Sequence, residues 1–154
     1  MPTSSERRFS ATITESGARA FVELPFDPDE AWGAKDRHYV DGHVGGRRIR
    51  GVLAPTALGF VLPLGPTWRR DNGLEVGATV DVLLAPEGPL VESLDRDIAD
   101  ALDDDPTVGT RFRSIAPFYR KNFIRWISEA KRPETRAARI AEMVKALAEG
   151  RQER

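Results

Sequence analysis

The densest group of chemically capable side chains in this 154-residue chain surrounds one proline. Lys131, Glu134, Thr135, Arg136 and Arg139 all lie within a few residues of Pro133. Pro133 pushes Arg132 out of the helical region and then opens a new helix. The cluster therefore puts a helix N-terminus, a hydroxyl and three cations beside one break. Such an arrangement holds anions, through the unpaired N–H groups of the first turn and the guanidinium forks. The expected ligand is a small anion or a protein partner. The competing structural use is plain: the same arginines can bind carboxylates of the chain itself.

A second basic group is Arg47, Arg48 and Arg50, which Arg69 and Arg70 could join. Arg48 and Arg50 share one face of a strand, with Ile49 on the other. Phosphate contacts need little more than such side chains, so this group is the candidate nucleic-acid surface. Its structural use is a charged edge that blocks strand-to-strand aggregation. The near balance of charge in this part of the chain favours the structural use. His38 and His43 are the only histidines. They are five apart, so on one continuous strand they point to opposite faces, and both are expected on a strand surface rather than in a metal site. No Cys is present to supply a thiolate ligand or nucleophile. No Gly-x-Ser-x-Gly elbow occurs, and Gly42-x-x-Gly45-Gly46 lacks the Lys-Ser/Thr of a phosphate loop. No catalytic residue, no metal and no cofactor is therefore assigned.

The elements that must carry these residues follow from periodicity. Residues 1–7 read as a tail. Period-2 alternation predicts strands over 8–15, 19–24, 38–44, 47–53, 58–62 and 79–84. Ser16-Gly17 and Gly45-Gly46 mark hairpin turns. Asp27 followed by Pro28 is an N-cap and first-turn pair for a short helix ending at Gly33. Another short helix is expected over 67–72, closed by Gly73. Features recur about forty residues apart: a strand and Pro, a Trp-bearing turn (Trp32, Trp68), Gly33 and Gly73, then Val40-Asp41 and Val80-Asp81. This predicts two similar halves packed about a pseudo-twofold axis.

From Ser93 onward the period changes to that of helices. Ser93 or Asp95 caps one helix through Leu102, and Pro106 starts another. Pro117–Ala130 places Phe118, Tyr119, Phe123, Trp126 and Ile127 on an apolar stripe, with Arg120, Lys121 and Arg125 opposite. Trp126 is expected to be mostly buried. After Pro133 the expected apolar face is Ala137, Ile140, Ala141, Val144, Leu147 and Ala148, with Arg136 and Arg139 on the other side. Lys145 with Glu149 and Arg139 with Glu142 are candidate ion pairs. Gly150 is the expected stop.

The net charge of −1 hides a segregation. Residues 71–105 hold one Lys or Arg against eleven Asp or Glu, whereas 106–154 hold twelve against five. The acidic block thus directly precedes the basic helices. No run approaches the roughly 18 apolar residues of a membrane helix, and no apolar segment follows the first charges as in a secretory signal. A cytoplasmic protein without a membrane partner is expected.

Val22-Glu23-Leu24-Pro25-Phe26-Asp27, Gly33-Ala34-Lys35 and Val40-Asp41-Gly42 resemble a small bacterial β-domain of unknown function. Tyr119-Arg120-Lys121 and Ala130-Lys131-Arg132-Pro133-Glu134-Thr135-Arg136, with Arg139-Ile140, resemble the helical tail of the YdeI/OmpD-associated, bacteriocin-protection family. Together they span roughly residues 8 to 150. The resemblance implies a double-split β-barrel of the kind shared with AbrB/MazE-type transcription factors. The family's acidic-x-x-Pro-Arg stretch is replaced here by Ala85-Pro86-Glu87-Gly88-Pro89-Leu90. The expected fold class is α+β: a β-barrel over 8–92 and a helical segment over 93–150 packed on it. The expected function is non-enzymatic binding or stress protection. A nucleic-acid-binding regulator is the alternative, and an enzyme of unknown class the third, for which no base–nucleophile pair can be named. Ligand identity and oligomeric state stay open.

Overall fold

The computed structural model describes residues 5–154. Among the described residues the fold is α+β, with eight strands in two four-stranded antiparallel sheets and the longer helices in the C-terminal half. The chain divides into two compact units. One runs to residue 34 and resumes over 38–87; the other is 88–154 together with 35–37.

In the first unit, β1 (Arg7–Thr12), β8 (Thr79–Pro86), β4 (Tyr39–Val44) and β5 (Arg47–Val52) form one sheet, in the order β1-β8-β4-β5. β2 (Thr14–Ser16), β3 (Arg19–Glu23), β7 (Gly59–Leu64) and β6 (Ala54–Thr56) form the other, in the order β2-β3-β7-β6. The tail expected over 1–7 falls partly outside the described residues, and Arg7 already belongs to β1. The single strand expected over 8–15 is split at Ile13, where the chain leaves one sheet for the other. Ile13 is 1% exposed, donates its N–H to Ala78 O at 2.9 Å and accepts from Gly77 N–H at 2.8 Å. Leu53 does the same between β5 and β6, donating to His38 O at 3.0 Å. In place of the closed barrel implied by the resemblance, the described residues form two sheets, and the chain passes from one to the other at Ile13 and Leu53. Among the described residues no ladder closes one sheet onto the other.

The internal repeat extends through every strand. β1, β2, β3 and β4 recur as β5, β6, β7 and β8 at an offset of 40 residues. Both sheet orders read the same when each strand is exchanged for its mate. The mates Val22 and Leu62 pair directly, as do His43 and Leu83, so the pseudo-twofold axis passes through these two pairs. The tryptophans break the repeat. Trp32 ends α1 (Pro28–Trp32), while Trp68 lies near the start of α2 (Pro66–Asn72), one helical turn out of step.

Pro63 does not end its strand; it lies inside β7 and pairs with Phe21. Phe60 O accepts Leu24 N–H, so alternate residues of β7 turn their N–H toward β3, and Pro63 turns the other way. The β6 ladder stops at Val61, so no acceptor waits where the missing N–H of Pro63 points. β4 must approach β8 closely: a Cβ at Gly42 would overlap the backbone oxygen of Leu83. Val22, Val40, Val44, Leu62, Val82 and Leu84 fill the core of this unit.

The second unit holds a 3-10 turn (Val91–Ser93), α3 (Arg96–Asp103), α4 (Pro106–Ser114), α5 (Pro117–Ser128) and α6 (Pro133–Ala148). Asp105 caps α4 by accepting Thr107 N–H at 2.9 Å. Arg111 caps the far end of α6, donating to Leu147 O at 2.8 Å and Ala148 O at 2.6 Å. There a cation also meets the negative end of the helix dipole. Ile98, Leu102, Phe112, Phe123, Ile127, Met143 and Leu147 form the core.

Two faces differ from expectation. The buried face of α6 is Ile140, Met143, Ala146 and Leu147, while Ala137, Ala141 and Ala148 are exposed. A methionine and two branched side chains bury far more area than three alanines, so they set the rotation of the helix. On α5, Phe118 is 63% exposed and Arg120 only 3%. Arg120 donates from Nε to Ile115 O at 3.1 Å and from Nη1 to Pro89 O at 3.1 Å. A guanidinium turned inward to bond carbonyls has taken the position that periodicity gave to an aromatic ring.

Candidate functional site

Turning α6 onto Met143 moves Arg136 and Arg139 from its solvent side to the flanks of its buried face. Each then reaches a neighbouring helix. Arg136 grips the start of α3: Nε donates to Asp97 Oδ2 at 2.6 Å, and Nη2 to Asp97 Oδ1 and Asp95 Oδ2, both at 2.9 Å. Bonding to Arg136 holds the Asp97 carboxyl below the usual range, and the two carboxylates raise the Arg136 guanidinium. Arg139 turns toward α5 instead. Its Nη1 donates to Trp126 O at 2.6 Å, and its guanidinium carbon lies 5.2 Å from the centroid of the Trp126 ring. Lys131 and Glu134 are exposed and Thr135 is half-buried. Glu134 stands 3.9 Å from Arg132. The five residues near Pro133 thus do not converge on one point: the first arginine serves α3 and the second serves Trp126.

The five arginines of the first unit are also dispersed. Arg48 forks onto Asp41, with both bonds 2.8 Å long. Arg50 forks onto Glu87 at 3.0 and 2.5 Å, and that carboxylate raises its pKa, chiefly by hydrogen bonding. Arg70 pairs with Asp71 at 3.5 Å. Arg47 is exposed and Arg69 half-buried. Carboxylates thus occupy the forks of Arg48 and Arg50, the two that share the open sheet face. His38 is not on a strand surface. It is 2% exposed, with Nε2 2.6 Å from Asp29 Oδ1, and its ring meets Phe60 edge-on at 5.6 Å. His43 is exposed on β4. Among the described residues, no three His, Asp or Glu gather in a way that could hold a metal ion.

A different constellation does converge. A cavity of about 450 Å³ opens along α5, floored by Tyr119, Phe123 and Trp126. Asn122, Arg125 and Glu129 stand on its walls, and Gln152, Glu153 and Arg154 close it from the other side. Trp126 is half-buried rather than enclosed. Arg139 holds its backbone, and the Arg154 guanidinium lies 4.6 Å from its ring centroid. Arg125 and Glu129 are one helical turn apart, the spacing of a helix ion pair. Yet among the described residues Arg125, Glu129 and Glu153 form no ion pair. The cavity therefore offers an aromatic floor, a side-chain amide and uncommitted charge of both signs. Periodicity placed Trp126 on a buried stripe and gave no reason to associate it with Arg154. That association requires the turn at Gly150, whose φ of 79° sends the chain back after α6.

Among the described residues, no helix is long and apolar enough to cross a membrane. No curated protein matches the chain. Residues 9–84 match a domain of unknown function, DUF1905. Residues 93–150 match the family described as bacteriocin-protection, YdeI or OmpD-associated. The first match spans all eight strands nearly end to end, and the second runs from the 3-10 turn to Gly150. The chain is therefore similar to DUF1905 over its strands and to the bacteriocin-protection, YdeI/OmpD-associated family over its C-terminal helices.

Proposed function

We propose that this is a non-enzymatic, cytoplasmic binding protein whose α5 cavity takes a mixed-charge segment of a protein partner. One observation carries the reading: Arg125 and Glu129 stand unpaired around an aromatic floor, whereas Arg48, Arg50 and Arg136 are committed to carboxylates. A segment presenting both signs would find a partner for each, with the Trp126 and Tyr119 faces excluding water beneath them. Arg139 enters the reading as a positioning residue, since it fixes the Trp126 backbone. The matched family's description ties it to bacteriocin protection. Protection by sequestering a partner needs no catalytic group, and it is the role we extend to this chain. The test is titration with an acetylated, amidated arginyl-glutamate dipeptide, followed through the indole N–H resonance of Trp126. A saturable shift that is lost in Arg125→Ala and in Glu129→Ala supports the reading. An indole resonance that does not move in the unaltered protein refutes it.

A further inference from the structure

We propose that the segment after α6 is a displaceable occupant of the α5 cavity, and that the partner replacing it presents an arginine to Trp126. The proposal rests on the binding reading above and names both the partner's chemistry and its regulation.

α6 ends in a tight reversal. Gly150 N–H donates to Leu147 O at 3.0 Å and Arg151 N–H to Ala146 O at 2.8 Å, the paired bonds of a glycine-terminated helix. A residue with φ of 79° suits glycine and gives the following segment a single pivot. Beyond Arg151, among the described residues, no backbone hydrogen bond ties the segment down. Residues 151–154 are all exposed. What holds them is side-chain contact, chiefly the Arg154 guanidinium over Trp126. An exposed contact of this kind is weak. It is weakened further because the Arg139 cation already shares the ring and is anchored by its bond to Trp126 O. Arg154 is the cation of the two that can leave.

The occupant also shows what the cavity accepts. A guanidinium rests on the indole, with the carboxylates of Glu129 and Glu153 lining the same space. An incoming arginine would take the same place on the ring, in a cavity that the exposed Glu129 carboxylate also lines. An acidic neighbour on the partner would meet Arg125. The chain's own segment sets Arg154 on the ring and Glu153 in the same cavity, without an ion pair to Arg125, and so copies the arginine half of such a ligand.

The experiment compares the full chain with Arg154→Gln and with a chain ending at Arg151, which keeps the reversal. Probes are the arginyl-glutamate dipeptide and the same dipeptide with neutral citrulline in place of arginine. The Trp126 indole signal is assigned by its loss in Trp126→Phe; the Trp32 and Trp68 indoles stay hydrogen-bonded to Ser5 O and Arg48 O. Both variants should show a displaced free-state Trp126 signal and bind the arginine probe about two- to fivefold tighter than the full chain, the scale of one lost exposed cation–π contact. The citrulline probe should bind none of them. Equal or weaker binding by the variants, or equal binding of citrulline, overturns the proposal while leaving the binding reading intact. Failure of every form to bind either probe overturns both. An unmoved Trp126 signal in Arg154→Gln overturns the seating of the segment alone.

Discussion

Single arginines define the helical unit more than its charge balance does. Arg120 is buried and donates to the backbone carbonyls of Ile115 and Pro89. Arg120→Met keeps much of the volume but leaves those oxygens without their charged donor, so it should lower stability by about 3 kcal/mol in urea unfolding. Arg136 lies nearer the surface, and its bonds to Asp97 and Asp95 are partly screened. Arg136→Ala should cost about 1–2 kcal/mol. Its pH signature follows from the direction of the Asp97 shift. Bonding to Arg136 depresses the folded-state pKa of Asp97. The stabilisation is therefore fully present above the ordinary carboxylate pKa of about 4 and is lost as pH falls through the lower folded value. The melting-temperature gap between the unaltered protein and Arg136→Ala should be constant near neutrality and close in strong acid. A gap that persisted unchanged there would mean that Asp97 contributes nothing to it.

At the scale of elements, the rotation of α6 and the approach of β4 to β8 are the two features open to a sharp check. If α6 buries Met143 rather than Ala141, Met143→Ala should cost about 2–4 kcal/mol, whereas Ala141→Lys should change stability by no more than about 0.5 kcal/mol. The reverse order would restore the face read from periodicity alone. Gly42 sits where any Cβ would overlap the Leu83 backbone. Gly42→Ala must push β4 off β8 beside the pseudo-twofold axis, and should cost about 3 kcal/mol or prevent folding of the sheet unit. Gly46→Ala, with open space around it, is the control for a glycine whose only constraint is its positive φ.

The whole molecule carries two separate cores, each drawn from its own stretch of chain. The exchange between the units is residues 35–37, whose Asp36 N–H donates to Ser114 Oγ at 3.1 Å within the helical unit. A fragment ending at Glu87 should fold with a β-type circular dichroism spectrum and melt cooperatively, since every strand and its register partners are retained. A fragment beginning at Gly88 should be helical but less stable than the same helices in the full chain, because Ser114 loses that donor. A fragment ending at Glu87 that failed to fold would show that the sheet unit depends on contacts beyond its own core.

Much of this architecture is written locally. Alternation gave the strands except β6, which it missed, and β2, which it merged with β1; prolines and aspartates gave helix starts, and Gly73 and Gly150 gave two of the stops, because each depends on backbone dihedrals and on neighbours a few residues away. The forty-residue repeat was visible in a handful of side chains, although the tryptophans that helped to reveal it proved to be out of step. What only the tertiary structure decided is where the long polar side chains go. Arg120, Arg136 and Arg139 each read as members of a solvent face, Arg154 carried no reading at all, and His38 read as a strand-surface residue. A guanidinium on a flexible stem reaches several ångströms from its own helix, so its partner is chosen by whichever carbonyl, carboxylate or ring the packing brings near. The split of one strand between two sheets at Ile13 is of the same kind, since no change of pattern marks a strand that exchanges one set of neighbours for another. The α5 cavity follows from both effects, for its floor lies in one helix and its far wall is a segment that one glycine turns back upon it.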